Sequence, residues 1–263
     1  MFNAVKEFVF VLFQWRVWGS LGVIQVHRQH SRALIGPVWT IFQAAAWIGL
    51  IAIVFTPLFK DDFPEYLSYV AIAVIAYNIA AHVLGSSSDA IVRHYALVWN
   101  TPIRIMLLPM MTISSGAYKA LLQLPVLLIA LAIEGDVNLA QAWLLVPTTL
   151  IFLIFLIFLI GTSFLFSVLG AFSGDFRFAV QISMRFLFFA TPIFWIVPET
   201  ASMRRYLAVS NPLTHFLDAY RAALLGFEYA LVNLGWLAIF SVSLFLLSIY
   251  LFEKVKTRML VAI

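Results

Sequence analysis

Six long hydrophobic stretches, nearly free of charged residues, occupy most of this chain of 263 residues. Backbone in lipid must satisfy its own hydrogen bonds, and these runs lack the alternation of barrel strands, so they predict membrane-spanning α-helices. The composition agrees, because 63% of the residues are hydrophobic, 11% are charged and the mean hydropathy is +1.01. We therefore expect an all-α integral membrane protein that forms a single transmembrane domain over residues 1–263.

The hydropathy pattern divides the chain into six spans and two further segments. The spans are predicted at about 33–59, 66–88, 105–133, 142–172, 177–197 and 229–252. Before them, an apolar segment with Trp15 and Trp18 ends in a basic run, and this combination predicts an interfacial helix over about 4–32. Before the last span, residues 198–225 are too polar and too interrupted to cross lipid as one helix, so we expect a re-entrant segment there.

The polar segments between the spans alternate in charge. Most of the 16 lysines and arginines lie on one side or in the tail after span six. The acidic residues of the other side are Asp61, Asp62, Glu65, Glu134, Asp136, Glu199 and Glu228. Because basic flanks are retained in the cytoplasm, we expect both termini to be cytoplasmic. The pI near 9.4 then reflects topology and anionic lipids, so no nucleic-acid partner is expected.

The sequence lacks the motifs of a self-contained enzyme or pump. No lysine follows a glycine, which excludes a Walker A P-loop, and neither HExxH nor GxSxG occurs. Cysteine is absent, which excludes a thiol nucleophile and a cysteine-ligated metal. Ion-coupled transporters usually carry acidic residues at mid-membrane, and the predicted spans have none there. We expect no catalytic residue, metal or cofactor in this chain.

Several basic residues lie beside or inside the predicted spans. Arg28 and Arg32 precede span one, whereas Arg177 and Arg185 recur on one helix face of span five. They are either topological anchors, with Arg185 snorkelling, or ligands for a lipid phosphate, to which arginine presents paired donors. Lys119 lies near the middle of span three, beyond easy snorkelling, and we expect it to face protein or water.

A short helix is predicted between spans two and three. Ser86 and Asp89 fit a capping box, and the run Asn100-Thr101-Pro102 is a stop signal, so the helix should extend from Asp89 to Asn100. Its mixed apolar and basic composition suits either a position on lipid headgroups or docking into a partner protein. The residues alone leave both interpretations open.

Aromatic residues make up 16% of the chain. Most are expected to face lipid, to pack in the core or to form interfacial belts. A minority could line a path for a sugar polymer, because an aromatic ring accepts the apolar face of a pyranose without a fixed hydrogen-bond register. The candidates for such a path are Trp39, Phe42, Phe188, Phe189 and Trp195.

Taken in order, four segments resemble the membrane subunit of an ABC-type polysaccharide exporter, the group that exports O-antigen, capsule or teichoic-acid chains. They are a basic segment running into Ile35-Gly36-Pro37-Val38-Trp39, the short helix after span two, Asp175-Phe176-Arg177, and Thr191-Pro192-Ile193-Phe194-Trp195 followed by Asn211-Pro212-Leu213-Thr214-His215-Phe216 and Arg221. The similarity covers nearly the whole chain and depends on the order and spacing of the segments. The segment Gln25 to His30 departs from the Arg-Asp-rich run of many relatives.

The resemblance implies a homodimer in the bacterial inner membrane, paired with two copies of a separate P-loop subunit that holds ATP and Mg²⁺. The cargo would be a lipid-linked polysaccharide, O-antigen on undecaprenyl diphosphate, that enters beside Arg28, Arg32, Arg177 and Arg185. The residues expected to couple this chain to the ATPase are Asp89, Arg93, His94, Tyr95 and Asp175.

The resemblance also implies that residues 198–225 fold back as two short helices that gate the outer exit. The expected gate residues are Pro192, Asn211, Pro212, His215, Asp218 and Arg221. Because Asp218 and Arg221 are three residues apart, we predict that they pair on one helix face. Two alternatives are an exporter of another lipid or small amphiphile, and a self-sufficient channel or intramembrane enzyme that uses His27, His30 or His215.

Overall fold

The computed structural model describes residues 2–59, 65–135, 145–198, 200–226 and 231–262. These residues form α-helices and a short 3₁₀ turn at Gly36–Val38, with no strand among them. The helices are α1 (Phe2–Phe13), α2 (Trp15–Gln29), α3 (Trp39–Phe59), α4 (Tyr66–Arg93), α5 (Tyr95–Asn100), α6 (Leu107–Glu134), α7 (Leu145–Phe172), α8 (Gly174–Ala190), α9 (Met203–Ser210), α10 (Pro212–Leu225) and α11 (Leu231–Ala262). The predicted all-α fold is confirmed.

Five segments are long and apolar enough to cross a membrane, and they correspond to five of the six predicted spans. They are Gly36–Pro57, Tyr66–Arg93, Leu107–Glu134, Val146–Phe172 and Val232–Met259. Each contains 22 to 28 residues, which makes a helix about 33–42 Å long. Since the hydrocarbon core is only ~30 Å thick, the ends of these helices extend beyond it. The chain therefore has the helices of a multi-pass membrane protein.

The predicted fifth span, 177–197, is not one continuous helix. α8 begins after Ser173, whose hydroxyl caps it by accepting a hydrogen bond from the N–H of Phe176, and it ends at Ala190. Its 17 residues make only about 26 Å of helix. The helix stops where Thr191 precedes Pro192, because a residue before proline disfavours the helical conformation. Residues 191–197 are non-helical, and α8 is not among the described helices that are long and apolar enough to span a membrane.

α8 and the non-helical segment after it pack along α4 from one end of the bundle to the other. The Gln181 side chain bonds the carbonyl of Gly85, Phe188 packs on Tyr77, and the carbonyl of Phe194 accepts a hydrogen bond from Tyr66 at the start of α4. Between α7 and α9 the chain therefore runs the length of α4, although only its first part is helical.

The helix predicted over 4–32 is two helices, α1 and α2, bent by 69° at Gln14. Together they have the composition of a further apolar span. The bend lets the two helices pack on different partners, because α1 contacts α11 whereas α2 packs along α6. Gly22 makes the second contact close, since a Cβ there would lie 2.5 Å from Ser114 Cβ.

α4 is the central helix, with most of its side chains buried against α3, α6, α7, α8 and α10. Where it crosses α6 and α7, the hydroxyls of Ser87, Thr112 and Ser163 bond one another at 2.7–3.0 Å. Gly170 of α7 abuts the carbonyl of Ser88, where a Cβ would lie 1.8 Å from the oxygen. Small and hydroxylated residues at such crossings allow close helix packing in lipid.

α4 runs antiparallel to α6 and parallel to α7, so the bundle has two ends. We call one the basic end, marked by Arg93, Arg104 and Lys256, and the other the far end, marked by Glu134 and Arg221. Two predicted helix ends differ at the basic end, where α4 continues from 88 to Arg93 and α11 from 252 to Ala262. At the far end, the predicted re-entrant segment forms α9 and α10, of 8 and 14 residues, each too short to span.

Candidate functional site

At the far end, a buried arginine joins three elements. Arg221 of α10 is 1% exposed, and its Nη2 donates hydrogen bonds to the carbonyls of Pro192 at 2.9 Å and Ile193 at 3.2 Å. Its guanidinium carbon lies 3.3 Å from the centroid of the Tyr69 ring, a close cation–π contact. The predicted pairing with Asp218 is confirmed, with Nη1 3.5 Å from the carboxylate oxygen.

Three more side chains hold the same segment. The hydroxyl of Tyr66 donates to the carbonyl of Phe194 at 2.8 Å, and that of Tyr69 donates to the carbonyl of Trp195 at 3.1 Å. The amide nitrogen of Asn211 donates to Thr191 Oγ1 at 2.7 Å, while its oxygen caps α10 at the N–H of Leu213. The far-end clamp comprises Tyr66, Tyr69, Asn211 and Arg221, together with the residues 191–195 that they hold.

The hydrogen bonds of the clamp compensate for the missing helical bonds of residues 191–195. Non-helical backbone at membrane depth is tolerated only where protein or water satisfies its polar groups. In residues 191–195, carbonyls without a helical partner are instead bonded by Arg221, Tyr66 and Tyr69. The clamp therefore stabilises the non-helical segment after α8.

The predicted gate residues do not all belong to this clamp. Pro192, Asn211 and Arg221 belong to it, and Asp218 contacts it through Arg221. Pro212 and His215 instead line a hollow of about 350 Å³ between α10 and α11, with Asn233 and Trp236 across it. His215 Nε2 lies 2.9 Å from the carbonyl of Val209.

At the basic end, a helix was predicted from Asp89 to Asn100, and its predicted first residue is wrong. α4 continues through Ser86 and Asp89 to Arg93, the chain turns at His94, and α5 contains only Tyr95–Asn100. No capping box forms, because Asp89 pairs with Arg93 at 2.7 Å along α4, four residues apart, and such a pair favours a continuing helix. Asp89 and Arg93 therefore lie on the last turns of a span.

The predicted coupling residues nevertheless lie at one end of the bundle. Tyr95 stacks on Trp99 within α5, and Trp99 is 70% exposed. His94 fills the break, with Nδ1 3.0 Å from the carbonyl of Ala90, and burial lowers the pKa of its imidazole below the ordinary value. Asp175 is exposed in the first turn of α8.

The four arginines predicted to bind the lipid diphosphate lie as two pairs in different parts of the chain. Arg28 and Arg32 are exposed at and just after the end of α2, which packs on α6. Arg177 and Arg185 belong to α8, which packs on α4 and α7. None of the ion pairs that the described residues form involves these arginines.

The candidate aromatic residues also divide into two groups. Trp39 and Phe42 lie together on α3, with ring centroids 6.0 Å apart, and both are about half exposed. Phe188 packs between α3 and α4, and the Trp195 indole donates to the carbonyl of Phe189. These contacts make Phe188 a packing residue, whereas Phe189 is 66% exposed.

Sequence reasoning missed two groups of residues. Tyr66 and Tyr69 were not distinguished from other aromatic residues, although their spacing of three places them on one face of α4. Glu7 of α1 was missed too, and its carboxylate lies 3.2 Å from both Arg104 and Lys256. No sequence signal links residues so far apart in the chain.

Comparison with known proteins adds no assignment. No protein-family model matches the chain, and no curated protein matches it. Within the described residues, no group of three or more histidine, aspartate or glutamate side chains is placed to hold a metal ion.

Proposed function

We propose that this chain is the transmembrane subunit of an ATP-driven ABC exporter that moves a lipid-linked polysaccharide across the bacterial inner membrane. The cargo in this proposal is O-antigen on undecaprenyl diphosphate. The observation that carries the proposal is α5, a six-residue helix with an exposed tryptophan at the end of a long span. So short a helix is not stable by itself in water, and an exposed stacked Tyr95 and Trp99 suit insertion into a cleft of a partner.

The partner in this proposal is a nucleotide-binding subunit, present in two copies beside a homodimer of this chain. The absence of a P-loop from the sequence supports a separate source of ATP hydrolysis. Asp89 and Arg93 would hold the base of the docking helix at the end of α4, and Asp175 would form a second, smaller contact. By the positive-inside rule, the basic end would face the cytoplasm.

The remaining parts take matching roles. Arg28, Arg32, Arg177 and Arg185 would attract the lipid diphosphate at the cytoplasmic leaflet, and the exposed rings of Trp39, Phe42 and Phe189 would border the sugar path. The far-end clamp would be the closed exit, and its release would move residues 191–195 and α10.

The test asks whether a neighbouring gene encodes a P-loop ATPase, and co-expresses that ATPase with this chain for a pull-down. The wild-type chain should retain the ATPase, and replacing Tyr95 and Trp99 together by alanine should remove at least nine-tenths of it while membrane insertion is unchanged, because a hot-spot aromatic pair contributes more than 1.4 kcal/mol. The matched control is Trp236→Ala, which removes an exposed tryptophan, 66% exposed, at the far end.

Retention by the double variant would exclude α5 as the docking helix. Failure of the wild-type chain to retain any P-loop ATPase would overturn the exporter proposal. ATPase rates in nanodiscs with and without lipid-linked polysaccharide would then separate this cargo from another lipid or a small amphiphile.

A further inference from the structure

Lys119 is a cation inside α6 whose described polar partner is a histidine. Its Nζ lies 3.2 Å from Nδ1 of His82 on α4, and His82 Nε2 lies 2.9 Å from Ser115 Oγ. The hydroxyl of Ser115 donates in turn to the carbonyl of Thr112 at 2.9 Å. Three side chains thus form a hydrogen-bonded series between α4 and α6.

The hydrogen bond from Ser115 to Thr112 determines which atoms donate and which accept in the rest of the series. Because Ser115 uses its hydrogen on Thr112, it accepts from His82, so His82 carries its proton on Nε2 and presents Nδ1 as an acceptor. Lys119 donates one of its three hydrogens to that acceptor. The series therefore orients a protonated lysine and leaves two of its donors for another group.

The charge of Lys119 is not neutralised by the described residues, since none of their carboxylates forms an ion pair with it. Two acids of the basic end already have partners, Asp89 with Arg93 and Glu7 with Arg104 and Lys256. An unpaired cation inside a span is costly and calls for an anion or water.

The depth of Lys119 favours an anion at the membrane surface. Glu134, at the far end of α6, is 15 residues beyond Lys119, about 22 Å along the helix. If the ~30 Å hydrocarbon core is placed to begin at Glu134, Lys119 lies about 8 Å from the opposite surface, closer to it than the mid-span position predicted from the sequence. A lysine side chain that is half-buried at this depth can meet a lipid headgroup.

α2 adds further basic residues beside this position. The imidazole of His27 stacks on the ring of Tyr118, the neighbour of Lys119, with centroids 5.8 Å apart and Tyr118 Oη 3.3 Å from Nε2. Arg28 follows His27 and is exposed. The end of α2 thus lies along α6 next to Lys119.

We propose that Lys119, oriented by His82 and supported by Arg28, binds the phosphate of a membrane lipid where α2 and α4 pack on α6. Basic pockets between membrane helices at the cytoplasmic side are suited to anionic headgroups. The phosphate can belong to a phospholipid or to a polyprenyl phosphate. This site does not depend on the exporter proposal, because a resident phospholipid would occupy it in any membrane protein of this structure.

The test is native mass spectrometry of the purified full chain with phosphatidylglycerol, undecaprenyl phosphate, or diacylglycerol, which has no phosphate. Lys119→Gln should weaken binding of both phosphate lipids about tenfold, because it removes a charge-assisted hydrogen bond. Lys119→Arg should restore most of the binding, and diacylglycerol should be unaffected. The control Lys254→Gln removes the same charge from an exposed position on α11 and should leave binding unchanged.

Stronger retention of phosphatidylglycerol would identify a resident phospholipid, and stronger retention of undecaprenyl phosphate would identify a carrier lipid. Equal binding by wild type and Lys119→Gln, or an equal loss in Lys254→Gln, would overturn the proposal. If Lys119→Gln does not fold, Arg28→Gln at the exposed end of α2 should give a smaller loss of the same lipids, and no loss would overturn it.

Discussion

Arg221 shows how a single side chain can join elements that are far apart in sequence. Enclosing a guanidinium costs several kcal/mol of hydration, and an isolated carboxylate pair does not reliably offset that cost. Here the Asp218 contact is long, 3.5 Å, and the shorter bonds go to the carbonyls of Pro192 and Ile193. These carbonyls lack helical hydrogen-bond donors, so the guanidinium supplies their hydrogen bonds and they in turn accept its buried N–H groups. Lysine would not serve equally, because it has no planar fork of donors.

Replacing Arg221 by alanine should therefore destabilise the chain by about 3–5 kcal/mol, because it leaves buried carbonyls without donors. Arg221→Lys should recover only part of this loss. The measurement is thermal unfolding in detergent followed by tryptophan fluorescence. Arg204→Ala, at an exposed position on α9, is the matched control and should unfold as the wild type does. Equal midpoints for the Arg221 and Arg204 variants would mean that the clamp contributes nothing to stability.

At the scale of helices, hydropathy predicted the spans well because lipid imposes one rule on every residue that faces it. The break after α8 and the extension of α4 were not predictable in this way. They depend on contacts between distant residues, such as Tyr66 with Phe194 and Gln181 with Gly85. Of the candidate site, sequence spacing found the Asp218–Arg221 pair but not the tyrosines that complete the clamp, since helical spacing reports neighbours on one helix only.

The start of α4 illustrates such a distant contact. Both oxygens of Glu134, at the end of α6, accept hydrogen bonds at 2.7 Å from the backbone N–H groups of Leu67 and Ser68. A carboxylate at this position satisfies two donors that a helix leaves unpaired and also favours the positive end of the helix dipole. The neighbouring Glu65 makes no such side-chain bond.

We therefore expect Glu134→Ala to lower the stability of the chain by about 1–2 kcal/mol, the usual effect of losing a helix cap. Glu65→Ala removes the same group from the same helix end without removing a cap, so its unfolding midpoint should match that of the wild type. Denaturation in mixed detergent micelles, followed by circular dichroism, compares the two. A larger loss for Glu65→Ala than for Glu134→Ala would contradict the capping role.

At the scale of the whole molecule, the direction of each helix determines which residues lie at the same end of the bundle. α5 and the turn at His94 lie at the basic end, as do the ion pairs that join Glu7 to Arg104 and Lys256. The far-end clamp lies about one membrane thickness away, at the other end of α4. α4 is the direct physical connection between them, because it carries Tyr66 and Tyr69 at its start and Asp89 and Arg93 in its last turns. A change at α5 can reach the clamp through this helix.

This arrangement predicts that Ser202 and Thr257 lie on opposite sides of the membrane, since Ser202 precedes α9 at the far end and Thr257 lies in the last turns of α11. The chain has no cysteine, so single-cysteine variants give unambiguous labelling. By the positive-inside rule, Ser202→Cys should react with an impermeant maleimide in intact cells, and Thr257→Cys only after the membrane is opened. The reverse pattern would invert the orientation and place α5 outside, where no ATPase could bind it. Labelling of both sites from one side would mean that α11 does not cross the membrane.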